Sequence, residues 1–239
     1  MDALHDAADR FIALVEALSP SDAALEVPGL VWNVGETVAH VLTVVRRGFA
    51  DRRRSSSAQE TPALNAQVLA ETPERDLPTL AALLRRDVHT ALDVVYPKIA
   101  DDRVFAFHGG VTTTMTPALH VVLGEFLIHG FDVARAVGRP WPLGEEEALL
   151  LVPGELLGAW VRADAPREVY ELHLGEAPPM RFELGPARLQ VSPVDDLAHA
   201  AHRGAIIAMP ASAFVLGFYN RVPVADPLLV RLMSRFVPS

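Results

Sequence analysis

The sequence predicts an α+β protein in which an N-terminal antiparallel four-helix bundle is followed by a small α+β domain. Three observations carry this expectation. Apolar residues recur at helical spacing through most of the first 140 residues, the spacing changes to alternation beyond about residue 164, and Pro and Gly mark the segment ends. At 239 residues with half of them apolar, the chain can bury a substantial core. The expected division is 1–163 for the bundle and 164–239 for the second domain.

In the first helix, Leu4, Ala8, Phe11, Val15 and Leu18 draw one stripe along Asp2 to Leu18. Pro20 and Pro28 break the chain, and Asn33 followed by Glu36 has the form of a capping box opening a second helix that should run to about Arg54. Ser55 to Pro73 is polar and reads as a connection. A third helix is expected from about Leu77 to Tyr96, its inner face carrying Leu80, Leu83, Leu84 and Leu92 and its end set by Pro97. Thr116 with Pro117 opens a fourth helix that closes at Gly138, and four such helices suggest the bundle. Glu145 to Trp160 could add one more. The pattern changes at Asp164 to Arg167.

Beyond that turn, Tyr170, Leu172 and Leu174 alternate with polar residues, as do Met180, Phe182 and Leu184, so two paired strands are expected. Leu189 with Val191 and Ala205 to Met209 supply two more. Helices near Ala211 to Tyr219 and Pro227 to Phe236 complete an α+β unit.

Composition excludes several classes of function. A formal net charge of −9 disfavours nucleic acid, whose binding rests on basic neutralisation. The longest apolar run, Ala205 to Phe218, is interrupted by Pro210 and Gly217 and is shorter than the roughly 20 residues of a membrane span. Asp2, Asp6 and Asp9 are unlike the basic start of a secretory signal, which makes a cytoplasmic location the expectation. With no cysteine, any thiol chemistry must use an external thiol. The H-E-x-x-H, G-x-S-x-G, Walker and G-x-G-x-x-G signatures are all missing.

The chemistry concentrates in the fourth helix. Between Ala118 and Ala134 the strongly polar side chains are His120, Glu125, His129 and Asp132. At 3.6 residues per turn Glu125, His129 and Asp132 form one strip and His120 points away. A carboxylate enclosed by apolar helices must be paired, hydrogen-bonded or metal-bound. Glu125 and His129 could converge on one divalent cation, with His40 at the edge of the second helix's stripe as a third ligand and one coordination position left open. The pattern alone leaves a second reading: a Glu and a His four apart are common as a plain hydrogen-bonded pair. Asp132 could pair with Arg135 or hold a ligand imidazole. The Arg46, Arg47 and Arg52 to Arg54 run reads as a solvated helix end, His108 as a loop residue able to line a pocket, and His5, His89, His199 and His202 as surface residues.

Trp32-Asn33-Val34 leading to Val38-Ala39-His40, then Gly124-Glu125 with His129-Gly130-Phe131-Asp132-Val133-Ala134, resembles the mycothiol-dependent maleylpyruvate isomerase family. Phe131 stands where the family has tryptophan, and two additional residues precede Trp32. The resemblance implies a DinB-like bundle in which His40, Glu125 and His129 bind a zinc ion, joined to a small sterol-carrier-like domain. It implies mycothiol as cosubstrate, a small electrophilic substrate, and a thiol addition that allows isomerisation or ends in transfer. Phe214 to Val222 is similar to the family's C-terminal helix, and Arg221 stands at a functional arginine. The alternative is a small-molecule carrier with a structural metal. The oligomeric state is left open.

Overall fold

The computed structural model describes residues 1–194 and 204–237, so His199 and His202 lie outside the described residues. It is an α+β structure that divides into two compact units. The first comprises residues 1–55, 62–107 and 112–143, and the second residues 56–61, 108–111 and 144–239.

Unit one is built on four helices: α1 (Asp2–Glu16), α2 (Val34–Arg47), α4 (Leu77–His89) and α5 (Met115–Ala136), with the short α3 (Thr61–Ala70) between the second and third of these. Helix α1 packs on α4 and α5, and α2 packs on the same two, closing a four-helix ring. Its core contains Phe11, Ile12, Leu42, Leu80, Leu84, Phe126 and Leu127, all essentially inaccessible. Phe11 and Phe126 meet edge to face with ring centroids 5.9 Å apart.

The start of α2 is set by the expected capping box. The Glu36 amide donates to Asn33 Oδ1 at 2.8 Å and the Asn33 amide donates to Glu36 Oε2 at 3.0 Å. This helix ends at Arg47, not near Arg54, and the residues from Asp51 to Arg54 are held by their own hydrogen bonds, among them Arg54 Nη2 to the Arg47 carbonyl at 2.8 Å. Helix α4 gives way at Thr90 to a π-helical turn and then to a single 3-10 turn at Tyr96–Lys98, so the expected stop at Pro97 is approached through changed winding. Helix α3 occupies what sequence marks as a connection. Its apolar residues are scattered around the helix and only Val68 and Leu69 are buried, so it has no stripe to announce it.

Helix α5 is long and apolar enough, by length and composition, to cross a membrane, yet it packs on two neighbours within the bundle and carries Glu125, His129 and Asp132. Gly130 serves packing: a Cβ there would lie 2.1 Å from the Trp141 ring, whose Nε1 donates to the Leu127 carbonyl at 2.9 Å. On Trp141 sits the Arg10 guanidinium, 4.5 Å from the ring centroid.

Two short strands, β1 (Phe105–Ala106) and β2 (Thr112–Thr113), pair in unit one, and unit two contains a four-stranded sheet in the order β5-β4-β3-β6, formed by β3 (Glu168–Leu174), β4 (Met180–Gly185), β5 (Arg188–Pro193) and β6 (Ala205–Met209). The expected pairing of β3 with β4 is antiparallel with Tyr170 opposite Phe182, and β6 runs parallel to β3 with Leu172 opposite Ile207. Helices α7 (Ala211–Phe218) and α8 (Pro227–Met233) follow the last strand. Tyr170, Phe182, Ile207, Phe214 and Leu232 make the core.

The segment Glu145 to Trp160 is not one helix. It forms α6 (Glu145–Leu150) and a short 3-10 stretch, Glu155–Trp160, separated by Pro153 and Gly154. Unit one gives way to unit two at Leu143, earlier than the change of periodicity at Asp164. The reason is that α6 packs on α7 and Glu145 binds its first turn, accepting from the Ala211 amide at 2.7 Å and from the Ser212 hydroxyl at 2.5 Å.

Glu168 ties β3 to the last helix. It accepts from Arg235 Nε at 2.9 Å, from the Tyr170 hydroxyl at 2.8 Å, and from Arg231. The Arg235 hydrogen bond is the main influence that lowers the Glu168 pKa from its ordinary 4.5 to about 2, against the opposing effect of burial. A depressed folded-state pKa contributes stability above the unfolded value and loses it as pH falls through the folded one. Partial exposure of the arginines screens the pair, so Glu168→Gln is expected to cost about 1–2 kcal/mol at neutral pH. The difference between the wild type and this variant should shrink between pH 4.5 and pH 2 in urea unfolding curves; a difference that stays constant across that window would contradict the assignment.

Candidate metal centre

Three of the expected side chains meet inside unit one. His40 comes from the second turn of α2, whose phase is fixed by the Asn33 cap, and Glu125 and His129 come from successive turns of α5. Donor atoms of all three lie within 4.8 Å of one another. His40 Nε2 is 3.2 Å and His129 Nε2 3.3 Å from the same oxygen, Glu125 Oε2.

Those short separations are not hydrogen bonds of good direction, because Glu125 Oε2 is enclosed and has no hydrogen-bond partner. The carboxylate as a whole remains open on one side, with its side chain 22% exposed. Two imidazole nitrogens and a carboxylate oxygen therefore crowd one point without satisfying each other. An orphaned buried carboxylate oxygen is expensive in an apolar setting. Imidazole nitrogen and carboxylate oxygen are also the donor types that bind zinc and related divalent ions, so the residues present suit such an ion.

Asp132 explains why His129 presents Nε2. The Asp132 carboxylate is buried and its Oδ2 lies 3.0 Å from His129 Nδ1, which assigns the Nδ1 proton to that bond and turns the other nitrogen toward Glu125. The contact with the His129 imidazole is the one that the second of the two sequence readings of Asp132 requires. Trp32 lies over the cluster on the α2 side, its ring centroid 4.6 Å from that of His40 and 6.4 Å from that of His129. His40 is only 3% exposed and so is not the pocket-edge residue its place on the stripe suggests. Helix α2 is buried on nearly every side, because α4 and α5 flank it and the Trp32 indole lies tilted over His40.

Electrostatics follow from this enclosure. Burial pulls the His40 pKa down more strongly than Glu125 raises it. Burial acts the same way on His129, but its bond to Asp132 and the negative charge of Glu125 beside it outweigh burial and bring the pKa up to about 9. Burial alone would raise the Glu125 pKa, and the two imidazoles reverse that, holding the group well below the usual carboxylate range. Glu125 is thus an anion across the physiological range.

Of the other residues singled out in the sequence, His120 is on α5 and His108 and Arg221 belong to unit two. His120 is exposed, as the helical phase requires. His108 is buried in unit two, in the turn His108–Gly110, where Gly109 at φ 74° approaches the Trp160 ring. Arg221 follows α7 in unit two; its amide donates to the Leu216 carbonyl at 2.7 Å and its Nη1 to the Tyr219 carbonyl at 2.6 Å. One residue that sequence assigns to a solvated helix end is not there: Arg47 is 8% exposed. A charge at the last turn of a helix gives no sequence signal of burial.

A bundle that encloses an anionic carboxylate between two imidazoles, followed by an α+β unit, defines a recognisable class. The family model described as the mycothiol maleylpyruvate isomerase N-terminal domain matches residues 4–134, more than half of the chain, and the protein belongs to that family. The solved structure of a mycothiol-dependent maleylpyruvate isomerase is similar over 92% of this chain and 88% of that one, with a TM-score of 0.58 at 14% identity. A histidine-to-alanine mutant of a mycothiol-dependent maleylpyruvate isomerase gives 0.53 at 13% identity, covering 90% and 85%. At such identity the likeness establishes the α+β fold. No curated protein matches the sequence.

If His129 delivers Nε2 to a cation because Asp132 holds Nδ1, then Asp132→Ala should weaken zinc binding about 10- to 100-fold in competition with a chromophoric chelator. A cation must also displace the proton that His129 holds up to about pH 9. Apparent affinity of chelator-stripped protein should then rise about tenfold per pH unit from neutrality toward that value. Affinity insensitive to both changes would contradict this arrangement.

Proposed function

We propose that this protein is a metal-dependent enzyme that uses mycothiol as a thiol cosubstrate on a small electrophilic molecule, by isomerisation of the maleylpyruvate type or by thiol transfer. The observation that carries the reading is the convergence of two imidazole nitrogens on an enclosed, partnerless carboxylate oxygen, in a chain of this family. His40, Glu125 and His129 would hold the ion, zinc being the one best suited to two imidazoles and a carboxylate. When bound, such an ion supplies the Lewis acidity that favours thiolate over thiol near neutral pH.

The chain's own residues have distinct parts. Glu125 contributes the anionic donor and stays ionised because the two imidazoles flank it. Asp132 fixes the ring of His129, and Trp32 covers His40 and limits water on that side. With three protein donors, one position is left for an incoming ligand, the arrangement of catalytic rather than structural zinc. No cysteine exists in the chain to act as nucleophile, so the thiol must come from outside. Arg221, in the second unit, is proposed as a functional arginine, as the resemblance of Phe214 to Val222 to the family's C-terminal helix implies.

The test is turnover. Zinc-loaded protein incubated with mycothiol and maleylpyruvate should show thiol-dependent cis-to-trans conversion, or consumption of the thiol with other electrophiles. Stripping the ion should abolish activity and re-addition restore it, and His40→Ala and Glu125→Gln should each lower kcat/KM at least 100-fold. Turnover that persists in both variants, or that proceeds equally well without thiol, would refute the proposal.

A further inference from the structure

The two imidazoles of the candidate metal centre resemble each other in type, burial and distance from the carboxylate. Each belongs to a bundle helix, each is buried, His40 at 3% exposure and His129 at 9%, and each places Nε2 just over 3 Å from Glu125 Oε2. Their rings meet edge to face, with centroids 5.2 Å apart and planes at 87°. They differ at the other ring nitrogen. His129 Nδ1 lies 3.0 Å from Oδ2 of the buried Asp132. His40 Nδ1 is sealed from solvent and has no hydrogen-bond partner among the described residues.

The local sequence shows how the difference arises. Asp132 stands three residues after His129, on the same side of α5. At that offset from His40 stands Thr43, also buried, whose hydroxyl is spent as a donor on the His40 carbonyl at 2.7 Å. Trp32 lies over the His40 ring, and its indole nitrogen can only donate. A neutral imidazole that gives Nε2 to a cation carries its proton on Nδ1. In His129 that proton meets a carboxylate, which strengthens the ring as a donor and fixes its orientation. In His40 the proton would stay unpaired in an apolar enclosure, a cost that opposes ligation by this ring.

We propose that the two histidines have unequal parts: His129, with Glu125, retains the cation, and His40 is a weak third donor that sets its position and leaves it electron-poor toward an incoming ligand. The inference rests on the metal reading within the proposed function and goes beyond it, by assigning retention and reactivity to different residues. Loss of His40 then costs little affinity and much rate, whereas loss of His129 costs both.

The test compares zinc affinities of wild type, His40→Ala and His129→Ala by competition with a chromophoric chelator. A carboxylate behind a ligand histidine is worth about 10- to 100-fold in affinity, so His129→Ala should weaken zinc binding at least tenfold more than His40→Ala does. At saturating zinc, His40→Ala should still fall at least 100-fold in kcat/KM. A second measurement needs no variant and decides the matter if His129→Ala does not fold. In zinc-loaded wild type with isotope-labelled histidine, heteronuclear NMR should place the proton of both rings on Nδ1, with the His129 proton alone shifted downfield by a carboxylate. Equal affinity losses in the two alanine variants, or two equally downfield Nδ1 protons, would overturn the inference and leave the proposed function standing. So would full turnover in zinc-saturated His40→Ala while Glu125→Gln is inactive. Wild type that binds no zinc would overturn both.

Discussion

One carboxylate organises the bundle. Glu125 sits on a long, largely apolar helix, its Oε2 sealed from solvent and placed just over 3 Å from two imidazole nitrogens that do not hydrogen-bond to it. An ion enclosed in this way is destabilising by several kcal/mol unless opposite charge lies against it. The surrounding structure is arranged to bring that charge in. The Asn33–Glu36 cap fixes where α2 begins and hence which side of the helix His40 occupies. Asp132 turns His129 toward the same oxygen. Gly130, between them in sequence, gives Trp141 room to close the outer side of the helix.

The same arrangement separates binding from rigidity. Four helices with a continuous core hold the three donor groups on two elements, α2 and α5, which pack directly on each other. Positions set by helix register are more exact than positions on loops, which is what a three-donor site with one open place requires. Unit two is held by different means: a mixed sheet, a carboxylate at the first turn of α7, and the Glu168 cluster that ties the first strand to the last helix.

Much of this is legible in sequence because periodicity reports burial. The stripe Leu4, Ala8, Phe11, Val15 yields α1, the Asn33–Glu36 pair yields the start of α2, and the alternation around Tyr170 and Phe182 yields the β3–β4 pair, though not its antiparallel sense. The polar strip on α5 is legible for the same reason, since a charge at a core-facing position needs an explanation. Helix α3 is hidden because its apolar residues follow no face. Position 145 is hidden because the Glu145 carboxylate acts on Ala211 and Ser212, sixty-six and more residues away, and no local pattern encodes that. Arg47 looks like a solvated helix end because helices commonly finish on arginines; its burial depends on how the chain beyond α2 folds back, with Asn65 of α3 supplying its partner.

The central claim is that a cation belongs against Glu125, shared by two imidazoles. Diffraction from crystals of the purified, zinc-loaded protein, recorded on either side of the zinc absorption edge, addresses it directly. The account predicts one anomalous peak per chain in unit one, at roughly 2.0–2.2 Å from Nε2 of His40, Nε2 of His129 and a carboxylate oxygen of Glu125. No peak there, with the three side chains hydrogen-bonded to each other or turned toward separate partners, would contradict it.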